Sequence, residues 1–134
     1  DPGSEHIFDI LKQLPKKQFR ILPSMRFSHF SELMKNASCL VGNSSAGVRE
    51  APFIGIPSLD VGTRQTNRAQ SKSVRMTNGH DQNSITRFLD EEWGVNYKTH
   101  AGFGEGKAAD RFINVLNRSS FWNSNLQKAF NDNV

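Results

Sequence analysis

Two short polar segments carry the residue types best suited to hold an anion. Gly42-Asn43-Ser44-Ser45-Ala46-Gly47 combines small residues, which let a ligand approach the backbone, with two hydroxyl donors. If a helix starts there, its first N–H groups lack intrahelical partners and carry partial positive charge, which favours phosphate. A serine-rich helix cap accounts for the same residues. The segment is not a Walker A loop, because no Gly-Lys-Ser/Thr follows, nor is it the Gly-x-Gly-x-x-Gly fingerprint. Gly62-Thr63-Arg64-Gln65-Thr66-Asn67-Arg68 places two arginines on one loop, where forked guanidinium donors suit a pyrophosphate. A solvated surface loop is the alternative. Glu50, five residues after Ser45, is a carboxylate of the kind that accepts paired bonds from a ribose diol. Pairing with Arg49 in solvent is its plainer reading.

Other constellations are weaker. His6, His29, His80 and His100 show no ligand spacing and no partner cysteines, so no metal is expected. No Gly-x-Ser-x-Gly elbow supports a serine triad. Phe103, between two glycines, reads equally as a stacking ring or a loop anchor.

The elements that must position these residues alternate between helix and strand. A helix is expected from Ser4, with Ile7, Phe8, Ile10, Leu11 and Leu14 on its apolar face and Pro15 ending it. Phe19 to Leu22 reads as a short strand closed by Pro23. Ser28 is expected to cap a second helix carrying Phe30, Leu33, Met34 and Ala37. Cys39-Leu40-Val41 reads as a strand covered on both faces. It runs into the serine loop, with a helix to Pro52. Strands follow at Ile56–Val61 and Ser73–Met76. Asp81 caps a helix with Ile85, Phe88, Leu89 and Trp93, stopped at Gly94. A loop at 102–106 precedes a helix from Ala108 to Leu116 with Phe112, Ile113 and Leu116 inward, and a last helix spans Phe121 to Phe130. Short, non-alternating strands between helices argue for an α/β layer with a parallel sheet. In such sheets ligands gather at the strand C-termini, so residues 42–50 and 62–68 are expected to share one ligand.

Composition agrees with this reading. The chain has 134 residues and 15.1 kDa, one domain's worth, and its mean hydropathy is −0.58. Leu, Ile, Val and Phe make up about a quarter of it, enough for a core. The net charge of +4 is spread evenly without a basic tail, which turns the reading away from nucleic acid. No apolar run approaches the ~18 residues of a membrane span, so no membrane partner is expected. The single Cys39 excludes an internal disulfide and fits a reducing, cytoplasmic setting. The opening Asp1-Pro2-Gly3-Ser4 reads as a chain entered midway, a domain cut from something longer.

Read together, Gly42-Asn43-Ser44-Ser45-Ala46-Gly47-Val48-Arg49-Glu50-Ala51-Pro52, then Gly55-Ile56-Pro57, then Gly62-Thr63-Arg64-Gln65 and Arg68, resemble the UDP-N-acetylglucosamine 2-epimerase family. The segment from Gly102 to Ala108 looks like that family's Asn-Pro-Tyr-Gly-Asp-Gly-x-Ala, with His100-Ala101-Gly102 in place of Asn-Pro-Tyr. Asp1 to Ser4 looks like its Asp-x-Gly-Ser. Gly-Asn-Ser-Ser and Gly-x-Arg-Gln are the pattern of the hydrolysing, sialic acid branch.

The resemblance implies a Rossmann-like α/β domain, the later part of the second domain of a two-domain, glycosyltransferase-B-like fold. It implies that Ser44 and Ser45 bind the diphosphate opposite Arg64, that Glu50 holds the ribose hydroxyls, and that Met25 and Phe30 line the uracil pocket. The implied chemistry is elimination of UDP from UDP-N-acetylglucosamine, then water addition to give N-acetylmannosamine. The family's acid–base groups fall in segments outside this chain, so no catalytic residue is assigned and the chain alone is expected to be inactive. No cofactor is implied. The implied partners are UDP-N-acetylglucosamine or UDP, the N-terminal domain of a parent protein and further copies of the same chain. A UDP-sugar glycosyltransferase and a non-catalytic nucleotide-binding module are the alternatives.

Overall fold

The computed structural model describes residues 4–123 together with Asn125 and Gln127. These residues fall into two compact units, 1–37 and 38–134.

The first unit holds α1 (Ser4–Gln13) and α2 (Phe27–Lys35). Ile7, Phe8 and Ile10 of α1 are exposed. The strand expected at Phe19–Leu22 does not form. The Pro15 carbonyl instead accepts the N–H groups of Gln18 and Phe19, a turn that leads into irregular chain. A strand needs a neighbour to satisfy its backbone, and the sheet of the described residues contains only the three strands named below. Helix α2 starts one residue before Ser28. Arg26, with extended φ and ψ, occupies the cap position and makes no side-chain cap bond. Met34 is the buried residue of this helix.

The second unit is built on three parallel strands in the order β1 (Leu40–Gly42), β2 (Ser58–Val61) and β3 (Val74–Thr77). Leu40 pairs with Ser58, Gly42 with Asp60, and Asp60 with Met76. Strand β2 is central, and Ser58, Leu59 and Asp60 are all buried. Its two faces differ in character, because neighbouring side chains point to opposite sides of a strand. Leu59 lines a cavity with Phe88 of α4 (Gln82–Glu92). Ser58 faces a single 3₁₀ turn, Ser45–Gly47, so closely that a Cβ on Gly47 would lie 2.6 Å from Ser58 Oγ. Only glycine fits there.

Strand β1 departs from the expected burial. Among the described residues it is an edge strand, paired on one side only, with Leu40 half-buried and Val41 44 % exposed. Helix α3 (Glu50–Ile54) runs past Pro52 instead of ending there. Pro52 is its third residue, where a backbone N–H would have no helical partner anyway. Gly55 closes α3 at φ 91°, and a side chain on it would collide with the Tyr97 carbonyl.

Asp81 caps α4 as expected, its Oδ1 accepting from Ser84 N–H at 3.0 Å and its Oδ2 from Ser84 Oγ at 2.6 Å. Trp93 lies just past the helix and is exposed. The expected helix α5 (Ala108–Leu116) forms with the expected bounds, but its face is not inward. Phe112 and Ile113 are exposed and only Leu116 is half-buried, since the described element that α5 packs on is the short α6 (Ser119–Trp122). Trp122 Nε1 donates to the Leu116 carbonyl at 2.7 Å. Most of the remainder of the helix expected over Phe121–Phe130 lies outside the described residues.

Candidate functional site

Parallel pairing of β1 and β2 brings the ends of both strands to one edge, with Gly42 opposite Asp60. The serine loop and the arginine loop leave from there, about one strand spacing apart. A buried side chain ties them together: Gln65 Nε2 donates to the Asn43 carbonyl at 3.0 Å. The arginine loop is itself tightly turned. Gly62 leaves β2 at φ 98° and donates its N–H to the Thr77 carbonyl, the Thr63 carbonyl accepts from both N–H and Oγ1 of Thr66, and Asn67 adopts φ 63°. Arg68 Nη1 donates to Gln65 Oε1 at 3.3 Å, whereas Arg64 points from an exposed position and has no ion-pair partner among the described residues.

Ser44 is exposed and caps the 3₁₀ turn, its Oγ accepting from Ala46 N–H at 3.3 Å. Ser45 is half-buried, and its carbonyl accepts the N–H groups of Val48 and Arg49. The helix expected to open at this loop is therefore a single 3₁₀ turn followed by a five-residue α-helix. So short an array has little macrodipole, and the groups at this edge able to donate to an anion are N–H groups, hydroxyls and arginines.

Glu50 stands in the first position of α3. It does not pair with Arg49, whose guanidinium instead lies over the Phe103 ring, 5.2 Å from its centroid. Glu50 Oε2 is fully buried without a hydrogen-bond partner. Leaving a buried oxygen unpaired is costly. Met25 and Phe30 belong to the first unit, where they line an apolar groove with Leu22, Phe27 and Leu33.

Residues 1–117 match the UDP-N-acetylglucosamine 2-epimerase family. The chain belongs to that family.

Individual relatives agree with the assignment. The UDP-N-acetylglucosamine 2-epimerase of Neisseria meningitidis serogroup B is 38 % identical over 135 residues, covering 98 % of this chain and 36 % of the relative. Polysialic acid biosynthesis protein P7 of Escherichia coli is 30 % identical, over 90 % of this chain and 27 % of its own length. The UDP-N,N'-diacetylbacillosamine 2-epimerase (hydrolyzing) of Legionella pneumophila is 24 % identical, over 87 % and 31 %. The chain spans about a third of the length of these curated relatives.

Within this epimerase-family chain, two buried groups escaped the sequence reading. Asp60 is 1 % exposed, neither carboxylate oxygen has a partner, and burial pushes its pKa up. Ser58 Oγ, on the same face of β2, is likewise buried and unpartnered. A carboxylate breaking the apolar run Ile56–Val61 was the available signal. Glu92, the last residue of α4, is also buried but fully engaged: Arg75 Nη2 donates to it at 2.7 Å and Tyr97 Oη at 2.6 Å. Burial raises the Glu92 pKa, but the bonds from Tyr97 and Arg75 and the Arg75 charge outweigh it, so the carboxyl titrates below its ordinary value. The bond to Glu92, then burial, holds the Tyr97 phenol above its own ordinary value. Nothing in the local sequence signals this trio, which joins β3, α4 and the segment after it.

Among the described residues no group of three or more His, Cys, Asp or Glu is arranged to hold a metal. No helix of these residues is long and apolar enough to cross a membrane.

Proposed function

We propose that this chain is the UDP-binding, C-terminal portion of a hydrolysing UDP-N-acetylglucosamine 2-epimerase, converting UDP-N-acetylglucosamine to N-acetylmannosamine and UDP. The observation that carries the reading is the Gln65–Asn43 bond, which joins the serine loop to the arginine loop at one sheet edge. In this reading Ser44 and Ser45 take the diphosphate together with Arg64, and the Glu50 carboxylate accepts from the ribose hydroxyls. The hydrolysing branch is supported by Gly-Asn-Ser-Ser and Gly-Thr-Arg-Gln in the sequence and by the hydrolysing relative.

The chemistry asked of these residues is electrostatic. When the C1–O bond of the sugar breaks and the C2 proton is removed, the electron pair of the breaking bond leaves with UDP. Arg64 and the N–H and hydroxyl donors of the serine loop meet that growing charge, which lowers the barrier to departure. Proton transfer needs a group within hydrogen-bond reach of C2, and the reading places it in the parent protein's other domain, so this chain alone does not turn over. The parent works in the cytoplasm as a homo-oligomer.

Calorimetry of UDP binding to the full-length protein tests the assignment. Ser45→Ala and Arg64→Ala are each expected to weaken UDP by about 1–3 kcal/mol, the scale of a lost charge-assisted bond. Unchanged affinity in both variants would overturn it. Incubation with UDP-N-acetylglucosamine and no acceptor separates the epimerase from a glycosyltransferase: release of UDP with N-acetylmannosamine is expected.

A further inference from the structure

The Arg49–Phe103 contact joins the serine loop to a third segment. Arg49 stands between the 3₁₀ turn and α3, directly before Glu50, and donates its N–H to the Ser45 carbonyl at 3.0 Å. Its guanidinium has no carboxylate within ion-pair distance among the described residues. The Phe103 ring is its contact.

Phe103 comes from the glycine-rich segment 102–106, and the chain leading into it is fastened to α3. Tyr97 N–H donates to the Gly55 carbonyl at 2.8 Å and His100 N–H to the Pro52 carbonyl at 3.0 Å. On its other side the segment meets the chain that follows the arginine loop. A Cβ on Gly102 would lie 3.0 Å from Gln70 Oε1 and would collide with the His100 ring. The tip carrying Phe103 thus reaches the start of α3 from a base wedged against Gln70. Gly104 and Gly106 adopt φ 115° and 79° with open space around them, so this tip is built on backbone that glycine adopts without strain.

We propose that Arg49 is a further cation of the diphosphate site, which Phe103 holds in reserve until the ligand arrives. This deepens the UDP-binding reading and rests on it. Arg49 and Ser45 share one turn, so an oxyanion seated at Ser45 lies one turn from the Arg49 backbone. The competing contacts differ in strength. A cation–π contact at an exposed site corresponds to about two- to fivefold in an equilibrium constant. A charge-assisted bond from guanidinium to phosphate corresponds to about ten- to a hundredfold. The phosphate therefore wins the guanidinium, and the ring acts as a weak competitor that keeps it at the rim of the site.

The competition has a sign that loop anchoring lacks. UDP and uridine binding are measured by calorimetry on the full-length protein, with far-UV circular dichroism to verify folding. Arg49→Ala is expected to weaken UDP about tenfold or more while uridine, which has no phosphate, stays within about twofold. Arg49→Lys, which retains the charge without the fork, falls between. Phe103→Leu is expected to tighten UDP about two- to fivefold, and the gain disappears when Arg49→Ala is also present. Unchanged UDP affinity in Arg49→Ala overturns the inference. So does a Phe103→Leu variant that weakens UDP equally with and without Arg49, because that result makes the pair a loop anchor. If the unmutated protein binds neither UDP nor uridine, the UDP reading falls and this inference with it. If it binds both and Arg49→Ala has no effect, this inference alone falls.

Discussion

Gln65 Nε2 reaches across 22 residues of sequence to donate to the Asn43 carbonyl at 3.0 Å. Its other amide atom, Oε1, accepts from Arg68. One buried side chain thereby fixes the spacing of the two loops on which the proposed diphosphate site depends. The glutamine in Gly-Thr-Arg-Gln is thus a brace, while the arginine beside it is exposed.

Replacing Gln65 with Met keeps the length of the side chain and removes the bond. The Asn43 carbonyl then loses its donor, and the domain is expected to lose about 0.5–1.5 kcal/mol in denaturant unfolding. UDP affinity falls as well, because the loops no longer hold their spacing. A variant with lower stability and intact UDP affinity would show that the brace serves the fold alone.

Asp60 gives the domain a pH dependence of unusual direction. Its folded pKa lies above the ordinary value of 3.8, so over that range the unfolded chain binds fewer protons than the folded one. Its contribution is fully present below the ordinary value and is lost as pH rises through the raised one. Asp60→Asn keeps the shape and cannot ionise. The variant is expected to match the parent in thermal unfolding near pH 4 and to exceed it at pH 8, by an amount on the order of 1–3 kcal/mol. Equal differences at both pH values would contradict a buried, unpaired Asp60.

Glu92 behaves in the opposite sense. Its pKa is held below 4.5, so its contribution is present above that value and is lost as pH falls through the lowered one. Glu92→Gln at neutral pH leaves Tyr97 an acceptor but removes the charge facing Arg75. A loss of about 1.5–3 kcal/mol is expected near pH 7, shrinking toward pH 3. Urea titrations at the two pH values measure it.

For Glu50, a binding role predicts a particular split in the kinetics of the full-length protein. Glu50→Gln retains shape and gives up the charged acceptor, so KM rises more than kcat falls. A drop of several orders of magnitude in kcat at unaltered KM would assign Glu50 to the chemical step instead.

Much of this site is legible before any folding is considered, because the signals are local. Strand, glycine and serines follow one another at 40–47, a strand and a two-arginine loop at 56–68, and Asp81 sits one residue before an amphipathic helix that it caps through Ser84. Hydrogen-bonding preferences within four or five residues decide such features, so composition and spacing reveal them. Local pattern fails where a neighbour decides. Phe19–Leu22 has strand residues and no strand, since a strand exists only through its partner. Phe112 and Ile113 have helical spacing and no cover, since spacing says which residues share a face and not what packs against it.

The sequence by itself determined the family, the α/β alternation and the two loops with their hydroxyls and arginines, because each is written in consecutive residues. Tertiary structure alone decided that Glu50 Oε2 and Asp60 are buried and unpaired, that Gln65 braces Asn43, that Glu92 gathers Arg75 and Tyr97, and that Arg49 rests on Phe103 instead of pairing with Glu50. The physical reason is one of range. Burial and hydrogen-bond partnership belong to groups that the fold brings together, and residues such as Asn43 and Gln65, 22 positions apart, or Arg75 and Glu92, 17 apart, carry no mark of that meeting in the chain itself.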